Sequence, residues 1–153
     1  MRQRLDFASL APEPVKSLYA VETYLAGCSL ERSLRELVKI RASQINGCAF
    51  CIDMHTKDAR AAGETEQRIF ALNAWRETPF FTDRERAALA WTEAVTELND
   101  GVSDELFEEV RNQLSEKEVV ELTWAVAAIN AWNRLAISFR SVPGSYQPRQ
   151  SKS

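Results

Sequence analysis

The residues that most often interrupt helices are scarce in this sequence, which has five glycines and five prolines among 153 residues. The alternation of apolar and polar residues that marks a half-buried strand is also missing over any six positions. In their place, 20 alanines, 16 glutamates and 14 leucines make up about a third of the chain. Because all three are strong helix formers, we predict an all-α fold.

Long apolar runs are missing too. No window reaches the uncharged length that a membrane-spanning helix needs, and the first ten residues lack the apolar run of a signal peptide. The 19 basic and 22 acidic residues are interleaved, for a net charge of -3, so no basic face for nucleic acid is indicated. We expect a cytoplasmic protein whose partners are neither membranes nor nucleic acids.

The length predicts a single domain over residues 1–153 that ends in a polar C-terminal tail, residues 141–153. Apolar periodicity and capping signals predict a bundle of about six to seven helices within it. Their expected bounds are 14–26, 30–45, 47 or 48 to 63 and 64–75, then a helix that begins at Thr82, a short one that begins at Ser103, and 116–139.

Several helix ends carry specific expectations. Gly27 is expected to adopt a left-handed conformation after the first helix, and Ser29 is expected to cap the second. Two capping boxes are predicted, at Thr82–Glu85 and Ser115–Glu118. The last helix is apolar nearly all round, which predicts either a central buried helix or a subunit interface.

Cysteine and histidine are rare, with three cysteines and one histidine in the chain. Because the cytoplasm keeps thiols reduced, the cysteines do not indicate a disulfide framework. Cys48 and Cys51 form a CxxC unit, and His55 follows the second cysteine by four residues. In a helix that starts at Cys48, positions 48, 51, 55 and 58 share one face, so both thiols and the imidazole point the same way.

These residue types suit redox chemistry. A thiol at a helix N-terminus has a lowered pKa, which favours Cys48 as the more acidic thiol. His55 can accept a proton near neutral pH, and Glu36 can orient that imidazole if its helix packs against the helix of the thiols. A peroxide would then oxidise one thiolate to a sulfenic acid, which the second thiol converts to a disulfide.

The segment from Glu36 to His55 resembles the core motif of the AhpD-like alkylhydroperoxidase family, within the carboxymuconolactone decarboxylase superfamily. In that motif a glutamate precedes CxxCxxxH by a fixed interval, and Glu36, Cys48, Cys51 and His55 stand at that spacing. Residues 130–136 (NAWNRLA) and 142–146 (VPGSY) are also similar to small members of the family.

The resemblance implies an all-helical domain that assembles as a homotrimer or homohexamer. It implies that Cys51 attacks the peroxide and Cys48 resolves, with no metal or prosthetic group, and that an external dithiol or flavoprotein system reduces the disulfide. Some relatives carry a second histidine between the cysteines, and Phe50 occupies that position here. The predicted function is a thiol-dependent peroxidase for antioxidant defence, which reduces organic hydroperoxides or hydrogen peroxide.

Other interpretations of the same residues remain open. A zinc site would use Cys48, Cys51, His55 and either Glu36 or Cys28 as ligands. Purely structural thiols are a second alternative, because free cysteines are often small buried hydrophobes. At the level of function, the alternatives are a redox-sensing helical oligomer without enzymatic activity and a carboxymuconolactone decarboxylase-like lyase, in which the paired thiols would have no role.

Residues near the motif have simpler expected roles. Cys28 is expected to be structural, and Asp58 to form a helix ion pair or to be solvated. Asn130 and Asn133 lie inside an apolar helix, so we expect them to bond across helices or to line the site. The four tryptophans are expected to pack in the core or at an interface.

Overall fold

The computed structural model describes residues 2–148, and within them helices are the only regular secondary structure. The eight α-helices in this range are α1 (Phe7–Leu10), α2 (Pro12–Ala26), α3 (Arg32–Asn46), α4 (Ala49–Ala61), α5 (Glu66–Ala71), α6 (Asp83–Glu97), α7 (Asp104–Gln113) and α8 (Glu116–Phe139). The predicted all-α class is therefore confirmed. Residues 149–153, the end of the predicted tail, lie outside the described residues.

Helix ends with strong local signals lie where the sequence predicts them. Thr82 and Ser115 both form complete capping boxes, in which the cap side chain accepts from a backbone N–H and the glutamate three residues later accepts from the cap backbone. Ser103 caps α7. Helix α8 runs over the predicted 24 residues, from Glu116 to Phe139. These ends depend on contacts within four residues, which a sequence displays directly.

The expected boundary between the first two predicted helices is wrong in two respects. Gly27 has φ -105°, which is not left-handed. Ser29 does not cap α3, which begins at Arg32 after Glu31. The backbone N–H and hydroxyl of Ser29 instead donate to the buried carboxylate of Glu121 in α8. Ser29 thus bonds to a residue 92 positions away in the sequence instead of capping the next helix. This long-range contact fixes the chain between α2 and α3.

Two further expectations are corrected. The four-residue α1, capped by the Asp6 carboxylate, was not predicted because one turn is too short to show apolar periodicity. The predicted helix 64–75 is instead α5 followed by a 3-10 helix, Leu72–Glu77, with a non-helical Ala74 inside it. The count of six to seven helices was therefore low by one or two.

Helix α3 occupies the centre of the bundle and packs against α4, α6 and α8. Leu37, Val38 and Ile40 are fully buried, and burial of each such side chain contributes about 1.5–3 kcal/mol. Val38 packs into a cluster that contains Trp91 of α6. Leu37 and Ile40 pack into a second cluster that contains Trp75 of the 3-10 helix.

Helix α8 buries only part of its surface. Leu122, Val126 and Ile129 are fully buried, whereas Val120 and Trp124 are more than half exposed. Helix α8 is therefore not the fully buried central helix that its composition allowed. None of the helices in residues 2–148 is long and apolar enough to span a membrane.

The turn between α3 and α4 depends on Gly47. Gly47 ends α3 with φ 69°, in the left-handed region, and Cys48 directly follows as the N-cap of α4. The Cys48 N–H donates back to the Ser43 carbonyl at 2.9 Å, which closes the corner. The left-handed residue therefore sets where α4 begins and where its first thiol lies.

Replacing Gly47 with alanine should destabilise the protein by about 1–2 kcal/mol, because a Cβ disfavours the left-handed conformation. No atom lies within 4 Å of the added Cβ, so the loss measures backbone strain alone. Gly27→Ala is the matched control: Gly27 is not left-handed and its Cβ would lie 3.8 Å from the Tyr24 carbonyl. Urea denaturation of both variants compares them, and equal stabilities would contradict the role assigned to Gly47.

Candidate active site

The two thiols of the CxxC unit lie at the first turn of α4. The Cys48 and Cys51 sulfurs are 2.8 Å apart, and the Cys51 backbone N–H donates to the Cys48 sulfur at 3.4 Å. Both cysteines are free thiols and each is only 1% exposed. The sulfur separation exceeds the roughly 2.05 Å of a disulfide bond. A small movement of either side chain would therefore join them.

Cys48 is the more acidic of the two thiols. The Cys51 thiol, the Cys51 backbone N–H and the Asn133 side chain stabilise its thiolate and lower the pKa of Cys48 to about 7, although burial opposes this. The same contact with Cys48, together with burial, raises the pKa of Cys51 well above its ordinary value. The contact between the two sulfurs therefore favours the thiolate on Cys48 and the proton on Cys51.

Glu36 of α3 and His55 of α4 meet across the packed helices. His55 Nδ1 lies 2.9 Å from Glu36 Oε2, and the two side chains are 8% and 12% exposed. Burial disfavours the charged carboxylate, but the hydrogen bond and charge of His55, with Lys39 and Arg32 nearby, outweigh it and lower the pKa of Glu36. An ionised Glu36 accepts the Nδ1 proton, which leaves Nε2 as the nitrogen that exchanges protons.

A set of polar side chains connects α3 to α8 beside the thiols. Asn46 Nδ2 donates to the side-chain oxygens of Asn130 and Asn133, both at 2.9 Å, and Asn133 Nδ2 donates to Ser43 Oγ at 3.1 Å. The expectation that Asn130 and Asn133 bond across helices is confirmed. Sequence reasoning missed Ser43 and Asn46, whose spacing of three residues on one helical face was the available signal.

Asp58 has a partner that local spacing did not predict. Its carboxylate oxygens accept hydrogen bonds from the Tyr146 hydroxyl at 2.8 and 3.0 Å. This contact of the partly buried Asp58 was not foreseen from the sequence, which led us to expect a helix ion pair or a solvated carboxylate. Tyr146 lies 88 residues away in the C-terminal tail, where the sequence offered no reason to place a contact with α4.

The side chains expected for a zinc site do not come together. Among residues 2–148, the group of possible ligands whose atoms lie within 4.8 Å of one another consists of Glu36, His55 and Asp58, and it includes neither thiol. Glu36 bonds to His55, and Asp58 accepts from Tyr146. Cys28 lies apart from the thiol pair, packed beside Leu25 of α2. That position agrees with the structural role expected for Cys28.

Cys51 and His55 face a cavity of about 480 Å³, within the usual range of ligand sites, about 300–1,000 Å³. Cys48 does not line it. Its walls are mostly apolar, and the C-terminal residues Ser141 and Tyr146 contribute to them. The apolar side chains from α1, α2, α4 and α8 are Phe7, Val15, Tyr19, Phe50, Met54 and Trp132. Phe50, in the position where some relatives have a histidine, thus adds apolar surface beside the thiol.

Two of the four tryptophans lie in the core, one lines the cavity, and Trp124 is exposed on α8. Trp75 and Trp91 are buried, as expected, and their indole N–H groups donate to Glu93 and Thr123. Trp132 lines the cavity, packs against Tyr19 with ring centroids 5.0 Å apart, and donates to Glu22 at 3.2 Å. One side of the cavity is therefore held rigid by α2 and α8 together.

Comparison with known proteins places this arrangement in a family. The model of the carboxymuconolactone decarboxylase family matches residues 12–94, more than half of the chain. The chain belongs to that family. The matched segment runs from α2 into α6 and contains Glu36, both thiols and His55.

Two members with high similarity cover nearly the whole chain. YdfG of Bacillus subtilis, an uncharacterised protein, is 48% identical over 139 residues, which span 90% of this chain and 95% of YdfG. The crystal structure of ATU0492 from Agrobacterium tumefaciens, a protein of unknown function related by its description to the antioxidant defence protein AhpD, has a TM-score of 0.91. It is 44% identical and covers 95% of this chain and 100% of its own. The fold is therefore AhpD-like.

The same fold also occurs in a debrominase. The debrominase Bmp8 has a TM-score of 0.80 at 19% identity, over 90% of this chain and 74% of Bmp8. Such low identity shows the shared fold alone. Membership of the carboxymuconolactone decarboxylase family thus leaves the reaction to be argued from the site.

Removing the Cys51 thiol should raise the pKa of Cys48 from about 7 toward the ordinary thiol value of 9, since Cys51 provides the largest stabilising contact. The variant measured is Cys51→Ala combined with Cys28→Ser, so that Cys48 is its only thiol. The ultraviolet absorbance of the Cys48 thiolate as a function of pH gives the pKa of Cys48. Cys51→Ser is the matched control, because its hydroxyl still donates and should limit the rise. An unchanged pKa in Cys51→Ala would show that the thiol contact does not stabilise the Cys48 thiolate.

Proposed function

We propose that this protein is a thiol-dependent peroxidase that reduces organic hydroperoxides through a Cys48–Cys51 dithiol and disulfide cycle. One observation carries the proposal: the Cys51 thiol faces an apolar cavity while the Cys48 sulfur lies 2.8 Å away and outside it. A substrate in the cavity meets one thiol, and the second is already within reach of the first. The apolar walls favour an organic hydroperoxide over hydrogen peroxide.

In the proposed reaction the Cys51 thiolate attacks the distal oxygen of the peroxide. The O–O bond breaks, Cys51 becomes a sulfenic acid, and the alkoxide takes a proton and leaves as an alcohol. The Cys48 thiolate then attacks the Cys51 sulfur and expels hydroxide, which is protonated to water. Overall, two thiols and one hydroperoxide give one disulfide, one alcohol and one water.

In this proposal, the thiol that attacks the peroxide is chosen by its access to the cavity rather than by its acidity. Cys48 has the lower pKa, but only Cys51 faces the cavity. Passing the Cys51 proton to the Cys48 thiolate across their contact makes Cys51 the nucleophile. We assign to His55 the transfer of protons to the departing alkoxide and from Cys48, and to Glu36 the orientation of the imidazole through Nδ1.

Completion of the cycle needs a reductant from outside the chain. An external dithiol or a flavoprotein system would return the disulfide to two thiols, and no metal or prosthetic group is required for any step. Since the cycle starts from free thiols, we place the protein in the cytoplasm, where thiols stay reduced.

We also propose that the protein is a homo-oligomer, as a homotrimer or homohexamer. Apolar side chains are exposed together on α2 and α8, where Tyr24, Val120 and Trp124 are each more than half exposed. Tyr24 donates to Glu121 of α8, which holds these side chains on one face of the molecule. An apolar face of this kind is typical of a subunit interface.

Turnover of ethyl hydroperoxide, a small alkyl hydroperoxide, with dihydrolipoamide as the reductant tests the proposed reaction. Cys51→Ser should abolish turnover, and Cys48→Ser should accumulate a sulfenic acid on Cys51 that dimedone traps. His55→Ala should lower the rate by about 100-fold or more, because a general acid and base contributes at least about that factor, and Glu36→Gln should lower it in the same direction. Cys28→Ser is the control and should retain full activity.

Other outcomes would identify another function. Oxidation that occurs once and is followed by a change of assembly, without turnover, would indicate the redox sensor. Unchanged thiols after peroxide, with conversion of a lactone, would indicate the lyase. Consumption of 2,3,4-tribromopyrrole, a compound bound by the debrominase Bmp8 in its crystal structure, in preference to hydroperoxide would replace peroxide reduction with dehalogenation.

Light scattering tests the oligomer. The mass of the wild-type protein should be three or six times the 17.3 kDa of one chain, and Trp124→Glu should lower it by placing a charge in the interface. Phe70→Glu changes an even more exposed apolar residue on α5 and should leave the mass unchanged. A monomeric wild-type protein would overturn this part of the proposal.

A further inference from the structure

The described part of the C-terminal tail, residues 141–148, folds back along α4 and is called the strap below. Gly144 N–H donates to the Asp53 carboxylate at 2.9 Å, and Lys57 Nζ donates to the Gly144 and Tyr146 carbonyls at 3.4 and 3.1 Å. Gly144 has φ 103°, a conformation that glycine adopts readily. The strap is thus attached to two successive turns of the helix that carries Cys51 and His55.

Tyr146 extends this attachment to the cavity. Its hydroxyl donates to Asp58, three residues after His55, and its side chain lines the same cavity as Cys51 and His55. Ser141, at the start of the strap, lines that cavity too. One wall of the cavity is therefore made by a segment without regular secondary structure.

The strap differs from the other walls in how it is held. Helices α2, α4 and α8 contribute walls that are continuous with the packed bundle. Hydrogen bonds join residues 144–146 to three side chains of α4, those of Asp53, Lys57 and Asp58. A chain segment without regular secondary structure near a terminus opens at a lower free energy than packed helices do.

We propose that the strap closes the thiol cavity and that Tyr146, held on Asp58, is a specificity-determining residue that restricts the size of the hydroperoxide that reaches Cys51. The proposal rests on the proposed peroxidase function and adds its substrate class: slender alkyl hydroperoxides pass, and bulky aromatic ones are disfavoured. Asp58 is a positioning residue, because its carboxylate holds the Tyr146 hydroxyl.

The physical basis is that Cys51 is 1% exposed and lines the same cavity as Tyr146. Tyr146→Ala removes the ring and its hydrogen bond, and so enlarges the entrance. Tyr146→Phe keeps the ring and removes the bond to Asp58, so it loosens the strap without widening the cavity. The two variants separate the steric contribution of the ring from the attachment of the strap.

Alkylation of the reduced protein tests access without any peroxidase activity. Iodoacetamide and a bulky maleimide are reacted in turn, and peptide mapping gives the rate at Cys51, with Cys28 as the internal reference. Tyr146→Ala should raise the maleimide rate relative to the iodoacetamide rate by about tenfold, as expected for removal of a steric contact in a pocket. Tyr146→Phe and Asp58→Ala should raise both rates to a smaller extent.

Steady-state kinetics then test selectivity. The ratio of kcat/KM for cumene hydroperoxide to kcat/KM for hydrogen peroxide should rise by about tenfold in Tyr146→Ala. In Asp58→Asn, which keeps an acceptor for the Tyr146 hydroxyl, this ratio should stay near the wild-type value. Gln147→Ala, an exposed neighbour in the strap, is the matched control with an unchanged ratio. If Tyr146→Ala does not fold, Tyr146→Phe and Asp58→Ala decide the question.

The two experiments distinguish the failure of this proposal from failure of the proposed function. Equal alkylation rates at Cys51 in wild type, Tyr146→Ala and Asp58→Ala would overturn the strap proposal, whether or not peroxide is turned over. If the alkylation rates change but neither the wild type nor any variant turns over peroxide, the result would support a closing strap and overturn the proposed peroxidase function. Peroxide turnover with an unchanged substrate ratio in Tyr146→Ala would overturn the role of Tyr146 in specificity.

Discussion

The packing of α3 against α4 is the contact on which the candidate site depends. Gly47 ends α3 in a left-handed conformation and reverses the chain within two residues, so Cys48 caps α4 and the thiols lie at its first turn. The same packing brings Glu36 of α3 to His55 of α4. A different turn at position 47, or a shift of α4 along α3, would separate the carboxylate from the imidazole, although every residue of the motif would still be present.

The two sulfurs differ in acidity and in their access to the cavity. Cys48 is stabilised as a thiolate by the donors around it, including the Asn133 side chain of α8. Cys51, with its raised pKa, is the sulfur that faces the cavity. In the reaction proposed above, a proton transfer between the neighbouring sulfurs would move the negative charge from Cys48 to Cys51, the sulfur that faces the cavity.

Much of the helical framework was predictable because its signals are local. The capping boxes before α6 and α8 and the full extent of α8 follow from side chains within four residues of each other. Ser29 was misjudged because its hydroxyl and N–H bond to Glu121, which no local pattern reveals. Helix α1 is a single turn, too short to leave a periodic pattern.

The sequence alone determined the spacing that puts Cys51 and His55 on one face of α4, since an α-helix repeats every 3.6 residues, with Cys48 at the N-cap of that helix. Only the tertiary structure decided which thiol meets the cavity, which carboxylate reaches the imidazole and where the C-terminal segment lies. Tyr146 bonds to Asp58, which is 88 residues away in the sequence, and Asn46 bonds to Asn133, which is 87 residues away. Contacts of that range depend on how whole helices pack, and a single sequence carries no local signal for them.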